Sequence, residues 1–299
     1  MKLLLAFLVF FLTACITLEP TYVYQEMEKI PDTRDKNVCG LLKDSVILYA
    51  AFVDVEKHHP YTAFDLASTQ DSIKKAIDWI EDQAANYGVS LKIKLVNHDQ
   101  FKRKSIKEKN AKVSFEHYDK AFYKSGVSKY KDYMNWSDGI AKYMGRANRA
   151  AVNKNLASYV RINDLQSFNA VLRDKYEYEN IAHMYFMNAY YEDVKGNAWN
   201  TATDHSVEFA IIEGKSAAVI AHEFLHLFGA VDLYPTQEYS FFKFDEIEKK
   251  YQNSIMLESY KDVNKLEVDS INAYFLGWTN QLSEEDNELL FHKLKAPVY

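Results

Sequence analysis

Apolar positions fall along this chain in three kinds of pattern. Residues 3–12 are one unbroken apolar run behind Lys2. That run is too short to cross a bilayer and has the make-up of the apolar region of a secretory signal, so residues 1–14 read as a signal peptide. Residues 45–53 are a short β-favouring run, which predicts a buried strand. Residues 90–96 alternate instead, with Leu91, Ile93 and Leu95 on one side, the signature of a half-buried strand. Between these two, Ile73, Ile77, Ile80 and Ala84 recur at helical spacing, with Asp71 or Ser72 placed to cap the helix and Gly88 to end it. Further on, residues 161–175 read as a helix, 180–191 as a strand and 207–212 as another strand. Gly196, Asn197 and Asn200 between them read as a loop. Ser216 is then an N-cap for an apolar helix. Strand–helix–strand followed by further strands and a helix predicts an α/β (α+β) domain on a mixed, mostly parallel sheet.

Residues 15–43 carry Pro20, Pro31 and mixed charge without periodicity, as a tether or short pro-segment would. Residues 44–299 then form one domain. Within it, residues 98–160 read as an insertion: from Phe101 to Asp132 there are ten Lys or Arg against four acidic residues, interleaved with aromatics including Phe115, Tyr118 and Tyr133. Such a stretch either offers a basic surface or is a solvated insertion whose aromatics pack on the core. A hydrophobic share of 48% excludes general disorder, and a net charge of −6 gives no footing for a nucleic-acid partner.

Chemistry concentrates in residues 221–232, AHEFLHLFGAVD. On a helix, His222 and His226 leave the same face one turn apart, where two imidazoles can share one metal ion. Glu223 follows the first His and faces the open coordination position, placed to take a proton from a bound water. Phe224, Leu225, Leu227 and Phe228 make the helix apolar nearly all round, so these polar groups are buried and need partners. Gly229 is placed to end the helix in a left-handed turn and bring Asp232 round towards the histidines. His58, His59, His205 and His292 read as surface or loop residues, with no metal role.

This stretch resembles the metzincin clan of zinc metallopeptidases, whose pattern is His-Glu-x-x-His-x-x-Gly-x-x-His/Asp, here in the variant with Asp as third ligand. Met256, in Asn253-Ser254-Ile255-Met256, is similar to the clan's Met-containing turn beneath the metal, and residues 266–278 resemble its closing helix. The resemblance spans about residues 206–280. It implies a metzincin-like domain with an active-site helix and a C-terminal helix, Zn2+ held by His222, His226 and Asp232, and endopeptidase action on protein or peptide substrates by a zinc-bound water with Glu223 as general base. It also implies that the strand before the zinc helix, 207–212, is the sheet edge on which an extended substrate pairs. The clan's Tyr two residues after the Met is Glu258 here, which leaves Tyr260 as the nearest candidate for oxyanion support. Two alternatives stay open. One is a gluzincin-like protease with Glu258 or Glu267 as third ligand. The other is a non-catalytic surface-binding lipoprotein on the same fold. Leu12-Thr13-Ala14-Cys15 resembles the lipobox of bacterial lipoproteins, which implies lipid on Cys15 and an exported protein anchored to a bacterial membrane, at the outer membrane or cell surface. Cys39 then remains as the one thiol, to be read as a small buried residue or as a latency switch on the metal.

Overall fold

The run at residues 45–53 lies at the heart of the molecule. The structure, a computed structural model, describes residues 22–25, 34–54, 60–98, 129–147, 161–188, 194–201, 205–235, 244–290 and 294–297. The signal segment, Cys15, His58, His59, His292 and most of the basic stretch (99–128 and 148–160) lie outside them.

Strand β2 (Asp44–Phe52) pairs in parallel with β3 (Leu91–Asn97) on one side and β4 (Asn180–Met187) on the other. Beyond β4 comes β6 (Phe209–Glu213), also parallel, and then β5 (Lys195–Trp199), antiparallel to β6. The sheet order is β3-β2-β4-β6-β5. A separate two-stranded pair joins β1 (Tyr22–Gln25) to β7 (Leu294–Pro297). β2 is apolar on both faces because both faces are covered, as central parallel strands require. Val46, Leu48, Ala50 and Phe52 enter a core with helices α1 (Ala63–Asn86) and α4 (Ala217–His226). Ile47, Tyr49, Ala51 and Val53 enter a second core with α2 (Lys129–Ala147) and α3 (Leu165–Tyr176). Tyr133 and Trp136 of α2 are buried there, so this part of the basic stretch is a layer of the fold.

Three local expectations need correction. Helix α1 begins at a capping box formed by Thr62 and Asp65, well before Asp71 and Ser72, which sit inside the helix. The loop expected at Gly196 and Asn197 is strand β5, fixed by Trp199 stacking on Phe209 at 5.2 Å and packing on Tyr133 at 4.3 Å. As a result the strand before helix α4, β6, is internal, and β5 is the edge.

The segment expected to be a tether is fastened into the body from Arg34 onward. The Arg34 guanidinium donates to the Tyr274 and Thr279 carbonyls at 3.0 and 2.7 Å. Asn37 Nδ2 donates to the Leu227 carbonyl at 2.9 Å, satisfying an orphan acceptor at the end of α4. Leu42 N–H donates to Leu276 O, and Trp278 Nε1 donates to Leu42 O. The backbone N–H groups of Val38 and Cys39 donate to the fully buried Glu208 carboxylate. Burial raises the Glu208 pKa from 4.5 to about 7, against the opposing pull of those N–H groups. Between these two pH values the folded state holds a proton that the unfolded state has released, so stability falls as pH rises. The loss is about 3 kcal/mol at most. Denaturant titrations of wild type and Glu208→Gln across pH 4.5–7 should show this slope in wild type and a flatter one in the variant.

Candidate metal centre

Helix α4 starts where expected, with Ser216 Oγ accepting from Val219 N–H at 3.3 Å. Nearly every residue of it is buried, His222 and Glu223 included. It stops because Gly229 takes φ 93°, a left-handed conformation that favours glycine, and Ala230 N–H turns back to the Leu225 carbonyl at 3.2 Å. The returning chain carries Asp232 to the two histidines.

Three ligand-type atoms converge. His222 Nε2 and His226 Nε2 are 3.1 Å apart, and Asp232 Oδ1 lies 3.2 and 3.1 Å from them respectively. The other ring nitrogens decide the protonation. His222 Nδ1 faces the Ile255 carbonyl at 2.9 Å, and His226 Nδ1 faces the Ala230 carbonyl at 2.8 Å. A carbonyl only accepts, so each Nδ1 carries a proton and each Nε2 is the ring atom turned inward, a lone-pair donor to a metal whenever it holds no second proton. With both Nε2 atoms unprotonated, two lone pairs and a carboxylate oxygen face one another, and the buried Asp232 Oδ1 has no hydrogen-bond donor. Such a group of acceptors needs a cation. Atoms bound at 2.0–2.1 Å around a tetrahedral ion lie about 3.3 Å apart, close to the spacing found. His222, His226 and Asp232 are thus a group that could hold a metal ion.

The local electrostatics agree. Burial disfavours charge on His226, yet the Asp232 carboxylate beside it overrides this and lifts its pKa to about 9. Burial likewise opposes ionisation of Asp232, but the imidazoles hold it well below the usual carboxylate range. A proton thus takes the place a metal cation would fill. Glu223 Oε1 is 4.0 Å from His222 Nε2, and burial pushes its pKa up.

The expected Met256 turn, together with residues that the sequence pattern does not single out, holds this arrangement. Met256 is fully buried, and its carbonyl accepts from Leu233 N–H at 2.9 Å, tying its turn to the Asp232 loop. Asn272, on helix α5 (Ser270–Phe275), accepts from Val231 N–H at 2.7 Å and donates to Asp269 Oδ2 at 3.0 Å. Asp269 Oδ2 also accepts from Ser254 Oγ at 2.6 Å, and Ser254 Oγ accepts from Met256 N–H at 3.1 Å. One buried chain therefore links the third-ligand loop to the turn that orients His222. Asn272→Leu should weaken metal binding about 10–100-fold, the usual cost of losing such an outer partner. Competition with a chromophoric chelator measures it, and unchanged affinity would refute the role. A short capping signal, Asp269 three residues before Asn272, is the trace these residues leave in sequence.

Tyr234 was also unforeseen. Its ring stacks along His222 with centroids 6.4 Å apart, and its hydroxyl bonds to Asp232. Tyr260, the phenol expected at the site, is 76% exposed. Glu258 pairs with Lys261 at 3.8 Å and Glu267 is exposed, so neither joins the ligand group. Cys39 is buried, its Sγ 3.4 Å from the Ile181 carbonyl and its N–H on Glu208, apart from the ligand group. His205 is exposed. The chain matches no family model and no curated protein.

Proposed function

We propose that this chain is a zinc-dependent endopeptidase on a metzincin-like domain, exported and held at a bacterial membrane by lipid on Cys15. The observation that carries the catalytic reading is the meeting of His222 Nε2, His226 Nε2 and Asp232 Oδ1 within 3.1–3.2 Å, beside a buried Glu223. Two neutral imidazoles and a carboxylate suit zinc, and a three-ligand set leaves room for a water or a carbonyl. Zinc bound there would polarise a scissile carbonyl and acidify a water.

The remaining work falls to the protein. Glu223 is the group at the ligands' edge able to accept the water's proton and return it to the departing amine. Ile255 O and Ala230 O hold both imidazoles in the tautomer that leaves Nε2 free to bind. Tyr234, exposed at 38%, lies alongside His222 and lines one side of the centre. β5 has no further strand beside it among the described residues, and an extended peptide could add to its outer edge by main-chain pairing. That pairing would make an endopeptidase of broad reach, since backbone bonds carry no side-chain preference.

Mass-spectrometric profiling of a peptide library tests the proposal. Wild type should yield internal cleavages that Glu223→Ala and chelated wild type do not, and equal patterns in all three would overturn it.

A further inference from the structure

We propose that Gly196 is a positioning residue for Glu223, its bare backbone forming the wall that keeps the carboxylate turned towards the ligand triangle. The inference rests on Glu223 being the proton acceptor. Gly196 pairs with Ile212 in the edge strand, and alternation along β5 turns Gly196 and Ala198 towards α4 while Trp199 packs on the opposite face. A Cβ at Gly196 would stand 2.4 Å from Glu223 Cγ, 2.7 Å from Glu223 Oε1 and 2.8 Å from Val219 Cγ1. Real carbon contacts lie near 3.5–4.0 Å. Val219 and Glu223 are one helical turn apart, so the strand backbone rests in the groove between them.

Two features make this more than close packing. The first clash is with Cγ, the middle of the side chain and not its mobile end, so any side chain at 196 must change the Glu223 rotamer or push the strand away. The backbone of Gly196 also lies outside the left-handed region, unlike Gly214 at φ 111° and Gly229 at φ 93°. Glycine is therefore required here by the neighbour it touches and not by its own torsions, and alanine tests that contact alone.

The experiment compares Gly196→Ala in wild type and in Glu223→Ala. With the carboxylate present, Gly196→Ala should retain one zinc per chain, lower kcat about 10- to 100-fold, the cost of misplacing a reacting group by about an ångström, and change KM by less than about threefold. Thermal unfolding of the metal-free proteins supplies a second reading. Gly196→Ala should lower Tm clearly in wild type and by less than half as much in Glu223→Ala, where only Val219 Cγ1 of the three nearest atoms remains. If Gly196→Ala fails to fold but the double variant folds, the coupling is shown in its strongest form. Equal Tm losses in both backgrounds, failure of both to fold, or an unchanged kcat would overturn the proposal. Should wild type cleave no peptide, the functional reading fails, and the Tm comparison still decides whether Gly196 places Glu223.

Discussion

Glu223→Gln is expected to lower peptide hydrolysis by about 10²–10⁴-fold, the usual contribution of a positioned general base. The amide has the same size as the carboxyl and fills the same space against Gly196 and Val219, so packing is preserved. It cannot accept a proton from water at neutral pH. Metal content should stay at the wild-type level, because Glu223 stands 4.0 Å from His222 Nε2 and is outside the group of three ligand atoms. A variant that keeps more than a tenth of the activity would assign the proton transfer elsewhere. One that loses its metal would make Glu223 part of the ligand scaffold.

The second large effect concerns the metal itself. A site of three converging acceptors does not exist in the unfolded chain, so binding free energy becomes folding free energy. With free metal at about 1,000 times Kd the stabilisation is about 4 kcal/mol. For a domain of this size that is about 10 °C in Tm. Chelation of wild type should therefore lower Tm by about that amount. His226→Ala should start from the lower value, carry little zinc, and respond to chelator hardly at all. Equal chelator responses in the two proteins would remove His226 from the centre. Because the third residue of the group is a carboxylate, the net positive charge on a metal held there would be smaller than with three imidazoles, and a bound water would be less acidified.

How much of this was legible beforehand depends on whether the information was periodic. Helix α4 was readable because two His at a four-residue spacing, an N-cap Ser and a terminal Gly are local signals. β2 and β4 were readable because burial on both faces leaves a continuous apolar run. β5 was not, since its Gly196 and Asn197 look like turn residues; the strand forms because Trp199 finds Phe209 on the neighbouring strand and Tyr133 on α2, contacts that no local pattern shows. Misreading β5 also moved the expected sheet edge inward by one strand. The Asn272–Asp269–Ser254 chain and the Arg34 and Asn37 contacts leave no periodic trace either. They are single side chains meeting backbone or one another across up to 245 residues of sequence.

The fastening of the N-terminal segment sets a length scale. On the reading that Cys15 is the lipid attachment point, Arg34, clamped to Tyr274 and Thr279, ties the chain that follows it to the body. Eighteen residues, 16–33, lie between the two, and four of them, Tyr22–Gln25, are paired with β7. Covalent geometry caps the distance from Cys15 to Arg34 at roughly 60 Å. The working radius of the centre is thus about one protein diameter from the lipid surface, and its encounters are confined to a thin shell. On the same reading, polypeptides presented at that surface would meet the candidate centre at high effective concentration, whereas those in bulk solution would first have to diffuse into the shell.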